Sequence, residues 1–260
     1  MGKGRIVNRR GLLRGLGVIG VGTVVARVDL RFPGAVQGQA VSKIRVKSSG
    51  LPATVAGIRL VDSPIARRAV ELSRESSPPY MFNHAIRTYL FGSLIGRALG
   101  QEFDDEIFFL ACVLHDLGLT ERFQGDLPFE IQGAQAAKHF LQENAYSKDG
   151  TEMVWDGIAM HPAAIGQFKR PEIALVGAGA GTDVVGPDFE QVKKKDVDEI
   201  VAAFPRLDFK TSFLKSCADV IRKHPRSASR TFMRDIGERY VKDYHPKNFC
   251  EAVAQAPFAE

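Results

Sequence analysis

The 260-residue sequence predicts an all-α protein, a compact helical bundle preceded by an irregular N-terminal segment. Three observations carry that expectation. Apolar residues recur at helical spacing through most of the chain after residue 63, no stretch sustains the two-residue alternation of a half-buried strand, and hydrophobic residues make up 45% of the total, enough for a substantial core. No internal repeat or low-complexity tract interrupts the pattern.

The first 40 residues form a unit of their own. Arg9 and Arg10 are followed by a mild, glycine-rich apolar stretch from Leu16 to Ala26, with small residues at Gly38 and Ala40. This order resembles a twin-arginine export signal, cleaved after Ala40, and implies the twin-arginine machinery as a partner and an extracytoplasmic destination. The competing reading is a basic N-terminal arm. The apolar run ends at Arg27, short of the roughly 20 residues that a spanning helix needs, so no stable membrane span is expected.

Charge supports the division. Residues 1–40 hold seven of the 35 Lys and Arg and one of the 30 acids, leaving 28 bases against 29 acids in the rest. The body is therefore close to neutral despite a net charge of +5, and a basic groove for nucleic acid is not expected. Cys112, Cys217 and Cys250 form no CxxC set, and no disulfide is predicted.

Residues 41–62 lack a clear period and are punctuated by Gly50, Pro52 and Gly57, which predicts an irregular surface segment. Ser63 and Pro64 are a cap and first-turn pair opening a helix to about Arg74. "SSPPY" ends it, and Ile86, Leu90, Leu94 and Leu99 mark a second helix from about Met81 to Leu99. Asp104 caps a third that ends near Gly118. Further helices are expected over 130–144, 151–161, 171–176, 196–203, 209–223, 231–244 and 248–254. "GAGAGTDVVG" reads as a glycine-rich connection.

With the helices placed, His84, the adjacent His115 and Asp116 in "ACVLHDLGLT", and Asp183 after the glycine run stand out. Two imidazoles and two carboxylates make a mixed nitrogen and oxygen set suited to Zn, Mn, Fe or Ni. Buried His and Asp are also often satisfied by ordinary hydrogen bonds, so spacing alone leaves both readings open.

Four stretches in order, "SPPYMFNHAIRTYLFG", "FFLACVLHDLGLT", "FEIQGAQAAKHFL" and "ALVGAGAGTDVVG", resemble the HD-domain metalloenzyme superfamily, and within it the cyanamide hydratase-like branch. The likeness is strongest over residues 63–190 of a body spanning 63–260. It implies that His84, His115, Asp116 and Asp183 bind one divalent ion, zinc above all, with a position left for water. Asp116 would also steer the water proton. His161 matches a pocket histidine of the family, although Pro162 replaces the usual threonine after it. His161 is expected as proton donor or substrate contact, and Thr120 as a hydrogen-bond donor to bound solvent or a turn residue.

Around these, Asn83, Arg87 and Thr88 are candidates for holding a carboxylate or the substrate, and Glu130 for a pocket acid or a residue favouring its helix dipole. The resemblance implies water addition to a small C≡N compound, giving a urea- or amide-type product. The alternatives are a metal-dependent phosphohydrolase acting on a nucleotide or phosphate ester, and an HD scaffold that binds metal or ligand without turnover. Many phosphate-cleaving members carry a lysine shortly after the HD pair, where this chain has Leu117, Gly118, Leu119 and Thr120.

Overall fold

The computed structural model describes residues 48–186, 192–228, 231–246 and 248–257. The arginine-paired leader and its cleavage site lie outside them. The described chain is all-α apart from one small hairpin, as the periodicity predicts.

That hairpin departs from the irregular segment expected over 41–62. Strands β1 (Thr54–Val55) and β2 (Ile58–Arg59) pair antiparallel, with Val55 opposite Ile58. Ala56 and Gly57 both take positive φ, 49° and 71°, which is the two-residue turn matched to strand twist. Val55 and Ile58 point inward and are buried.

Helix α1 (Pro64–Ser76) opens as expected: the Ser63 hydroxyl accepts from the Ala66 amide, with proline in the first turn. Helix α2 (Pro79–Ala98) follows, then α3 (Asp105–Leu114), where the Asp104 carboxylate accepts from the Glu106 and Ile107 amides. Every residue of α3 from Ile107 to Leu114 is buried, so this is the central helix, apolar all round because neighbours cover every face. Each large side chain it buries, such as Phe108, stabilises the fold by about 1.5–3 kcal/mol.

Helices α4 (Phe129–Glu143), α5 (Lys148–Met160) and α6 (Pro171–Val184) surround α3. Helices α7 (Lys194–Ala203), α8 (Phe209–Lys223), α9 (Met233–Tyr240) and α10 (Phe249–Ala254) complete the described chain. Two apolar clusters result. The larger joins the hairpin, α1 to α6 and α7. The smaller joins α8 and α9 to Met81, Leu119 and Phe129.

The glycine-rich stretch is not a connection but the body of α6, which continues from Pro171 to Val184 instead of ending at 176. A Cβ on Gly179 would stand 2.1 Å from the Thr88 carbonyl oxygen of α2, and one on Gly92 of α2 would stand 2.7 Å from the Leu175 carbonyl oxygen of α6. Glycine is there to let two backbones touch. Elsewhere the expected bounds shift: α3 stops at Leu114 rather than near Gly118, α5 starts at Lys148 behind a Ser147 cap, and α9 is shorter than 231–244.

Candidate metal centre

The earlier end of α3 places the His–Asp pair. His115 is the last residue in helical conformation, Asp116 turns out of it at φ −97° and ψ 9°, and residues 117–119 make one turn of 3₁₀ helix. Two adjacent side chains that would diverge on a continuing helix thus reach one point. The turn is held close to α4, since a Cβ on Gly118 would stand 1.9 Å from the Phe129 carbonyl oxygen.

Among the described residues, His84, His115 and Asp116 form the one group of potential metal ligands whose donor atoms all lie within 4.8 Å of one another. All three are buried. The Nε2 atoms of His84 and His115 are 3.2 Å apart, and Asp116 Oδ2 lies 3.5 Å from the first and 3.3 Å from the second. Each imidazole has its other nitrogen committed: His115 Nδ1 to the Cys112 carbonyl at 2.7 Å, and His84 Nδ1 to Asp183 Oδ2 at 2.7 Å. Carbonyl and carboxylate only accept, so both Nδ1 atoms carry the proton.

In their neutral forms the two rings present Nε2 lone pairs to each other and to Asp116 Oδ2, a buried oxygen with no hydrogen-bond partner. Three potential donor atoms converge on one small volume, an arrangement that favours positive charge there, carried by a metal ion or by a proton on His115. This donor set fits a divalent metal of borderline character. The same demand appears in the protonation equilibria. Burial opposes charge on His115, but Asp116, the Cys112 carbonyl and Asp183 together outweigh it and raise the imidazole pKa; burial wins at His84 and lowers it. Burial likewise opposes the Asp116 carboxylate, yet His115, His84 and His161 hold its pKa below the ordinary range.

Asp183, expected as a fourth ligand, lies behind His84 and outside the three-residue group. Both of its oxygens are occupied. Oδ2 faces His84 Nδ1 and accepts from Arg87 Nη2 at 2.7 Å; Oδ1 accepts from Arg87 Nε and Arg206 Nη1, each at 2.8 Å. It reaches this place from the last turn of a regular helix, not from a flexible glycine loop.

The remaining candidates divide. The His161 ring lies edge-on to His115 with centroids 4.8 Å apart, and its Nδ1 donates to the Ile158 carbonyl at 2.6 Å. Burial, and then the neighbouring His115, push its pKa down to about 3. With Nδ1–H engaged and the pKa lowered, the ring presents Nε2 as an acceptor. Thr120 gives its hydroxyl proton to the Leu117 carbonyl at 2.6 Å, so it closes the turn instead of addressing solvent.

Arg87 is wholly buried on Asp183, and Asn83 Nδ2 donates to the Pro205 carbonyl at 2.8 Å. Thr88 has a buried hydroxyl without a partner, and its carbonyl forms the floor under Gly179. Glu130 is buried in the first turn of α4 with Oε2 unpartnered, and burial raises its pKa. No group of the cluster figures among the causes of that shift.

Sequence reasoning missed Arg206, Phe209 and Phe213. The Phe209 and Phe213 rings lie 4.8 and 6.1 Å from the His84 ring, closing one side of the centre from α8. No short motif marks them; only the tertiary fold brings them to α2.

Residues 81–178 match the HD-domain family model. That match supports placement in the HD superfamily, whose members are generally metal-dependent hydrolases, and the fold and cluster agree with it. The matched segment holds His84, His115, Asp116 and His161, and ends before Asp183 and Arg206. The chain is also similar to a protein of Clostridium beijerinckii described as an uncharacterized protein, 26% identical over 82 residues, covering 30% of this chain and 52% of the relative. The chain thus spans about half the length of that relative. No helix among the described residues is long and apolar enough to cross a membrane.

Proposed function

We propose that this protein is a divalent-metal enzyme that adds water to a small neutral substrate, of the cyanamide or nitrile class. The observation that carries the reading is the convergence of two imidazole Nε2 atoms and an unpartnered carboxylate oxygen on one buried point. His84, His115 and Asp116 would hold the ion, zinc being the best match to such a set. A divalent ion there supplies Lewis acidity and lowers the pKa of bound water to about 7.

The protein's own groups have separable tasks. Cys112 and Asp183 fix the two ring orientations through Nδ1. His161, neutral and with Nδ1–H engaged, is suited to accept a hydrogen bond at Nε2 from water entering the site. Phe129 faces His161, while Phe209 and Phe213 face His84, so these walls are apolar and favour a compact uncharged molecule. Arg87 and Arg206, behind the centre, are already bonded to Asp183, and no lysine occurs in the turn after Asp116. Both features weigh against a phosphate ester.

Metal-loaded protein assayed with cyanamide and with a panel of phosphate esters tests the reading. Urea formation, abolished together with metal binding in His115→Ala, is expected. Phosphate release without urea would replace hydration by the phosphohydrolase reading, and bound metal with no turnover would leave a binding scaffold.

A further inference from the structure

The segment that joins α7 to α8, residues 204–208, lies beyond the part matched by the HD-domain model, yet it is fastened to the back of the metal centre. Asn83 Nδ2 donates to the Pro205 carbonyl, Arg87 Nη1 donates to the Phe204 and Pro205 carbonyls at 3.0 and 3.2 Å, and Arg206 Nη1 donates to Asp183 Oδ1 and to its carbonyl oxygen at 2.8 Å each. The next two residues, Leu207 and Asp208, take φ of 49° and 56°, a region that side chains disfavour. They turn the chain so that α8 starts with Phe209 against the His84 ring. The Arg206 guanidinium also lies over the Phe209 ring, 4.8 Å from its centroid.

From this geometry we infer that Arg206 is a positioning residue for the centre: it fixes Asp183, and through Asp183 the orientation and Nδ1–H tautomer of His84. The inference rests on the reading of His84 as a metal ligand. Arg87 alone grips the two carboxylate oxygens from one side of α2. Arg206 adds a second donor to Oδ1 and also binds the Asp183 carbonyl, one of the last carbonyls of α6, which have no partner within the helix. Side chain and backbone of Asp183 are thereby tied together. His84 Nε2 then stays aimed at His115 and Asp116 before any ion arrives, and an oriented ligand loses less freedom on binding.

Full-length Arg206→Met and Arg206→Lys test this, using zinc alone as probe. Zinc affinity is measured by competition with a chromophoric chelator, and the His84 tautomer by ¹⁵N chemical shifts in the metal-free protein. Arg206→Met is expected to bind zinc about 10-fold or more weakly, with His84 no longer a single Nδ1–H species. Arg206→Lys keeps one nitrogen able to fork between the two oxygens and is expected to recover most of both. Wild-type affinity in Arg206→Met, or weakened affinity with an unchanged His84 signature, overturns the inference. Should Arg206→Met fail to fold, Arg206→Gln is judged by the same two measurements. If wild type itself binds no zinc, the metal reading falls, while the His84 shifts still decide whether Arg206 holds the ring.

Discussion

A neutral imidazole that donates its Nδ1–H to a fixed acceptor keeps a lone pair at Nε2, and the hydrogen bonds of His84 and His115 both set up that arrangement. Asp116 Oδ2 adds a third accepting atom, so the site asks for positive charge. Glu130 shows the opposite case, a buried carboxyl with no cation acting on it. Burial raises its pKa above the ordinary 4.5, so the folded protein holds this proton more tightly than the unfolded chain does. The contribution is complete below the unfolded pKa and is lost as pH rises through the folded value, because ionisation then favours unfolding. Glu130→Gln is therefore expected to match wild type at pH 4 and to exceed it in urea midpoint at pH 7. Equal midpoints at both pH values would show that Glu130 has a partner in solution.

At the scale of elements, α6 shows what glycine means when it recurs inside a helix. Isolated from its neighbours, Gly179→Ala should gain about 0.8–1 kcal/mol in helix propensity. Against α2 the added Cβ meets a backbone oxygen at 2.1 Å, which neither helix can yield without moving. The steric cost of about 1–3 kcal/mol wins, so Gly179→Ala is expected to lower the urea midpoint; an increase would disprove the close crossing. The same helix explains which parts of the protein were legible in its sequence. Ser63 and Asp104 announce their helices because a cap acts on amides two or three residues away. "GAGAGTDVVG" misleads because Gly179 answers to α2, about 90 residues earlier, and Gly177 to the His161 carbonyl, and nothing local distinguishes a helix-crossing glycine from a turn. His84, His115 and Asp116 were visible as residue types in order. The roles of Asp183 and Arg206 were not, because they depend on which atoms Asp183 finds free after folding.

Over the described body as a whole, the two apolar clusters set a hierarchy of stability. The larger contains all of the apolar residues of α3, while the smaller hangs α8 and α9 on a few side chains from earlier in the chain, Met81, Leu119 and Phe129. Native-state hydrogen exchange should then show the α3 amides opening only with global unfolding and the α8 and α9 amides opening at lower free energy. An ion bound at the centre would couple the two layers, because the Phe209 ring of α8 lies on His84 and Arg206 lies on Asp183. Opening of α8 exposes one side of the centre and releases the hold on a ligand, so an ion that binds only the closed form must oppose it. At zinc 100-fold above its dissociation constant, the protection of α8 amides should rise by up to about 2.7 kcal/mol. Slower exchange in α3 with no change in α8 would mean that the centre survives without its C-terminal wall, and that the HD-matched segment alone holds the ion.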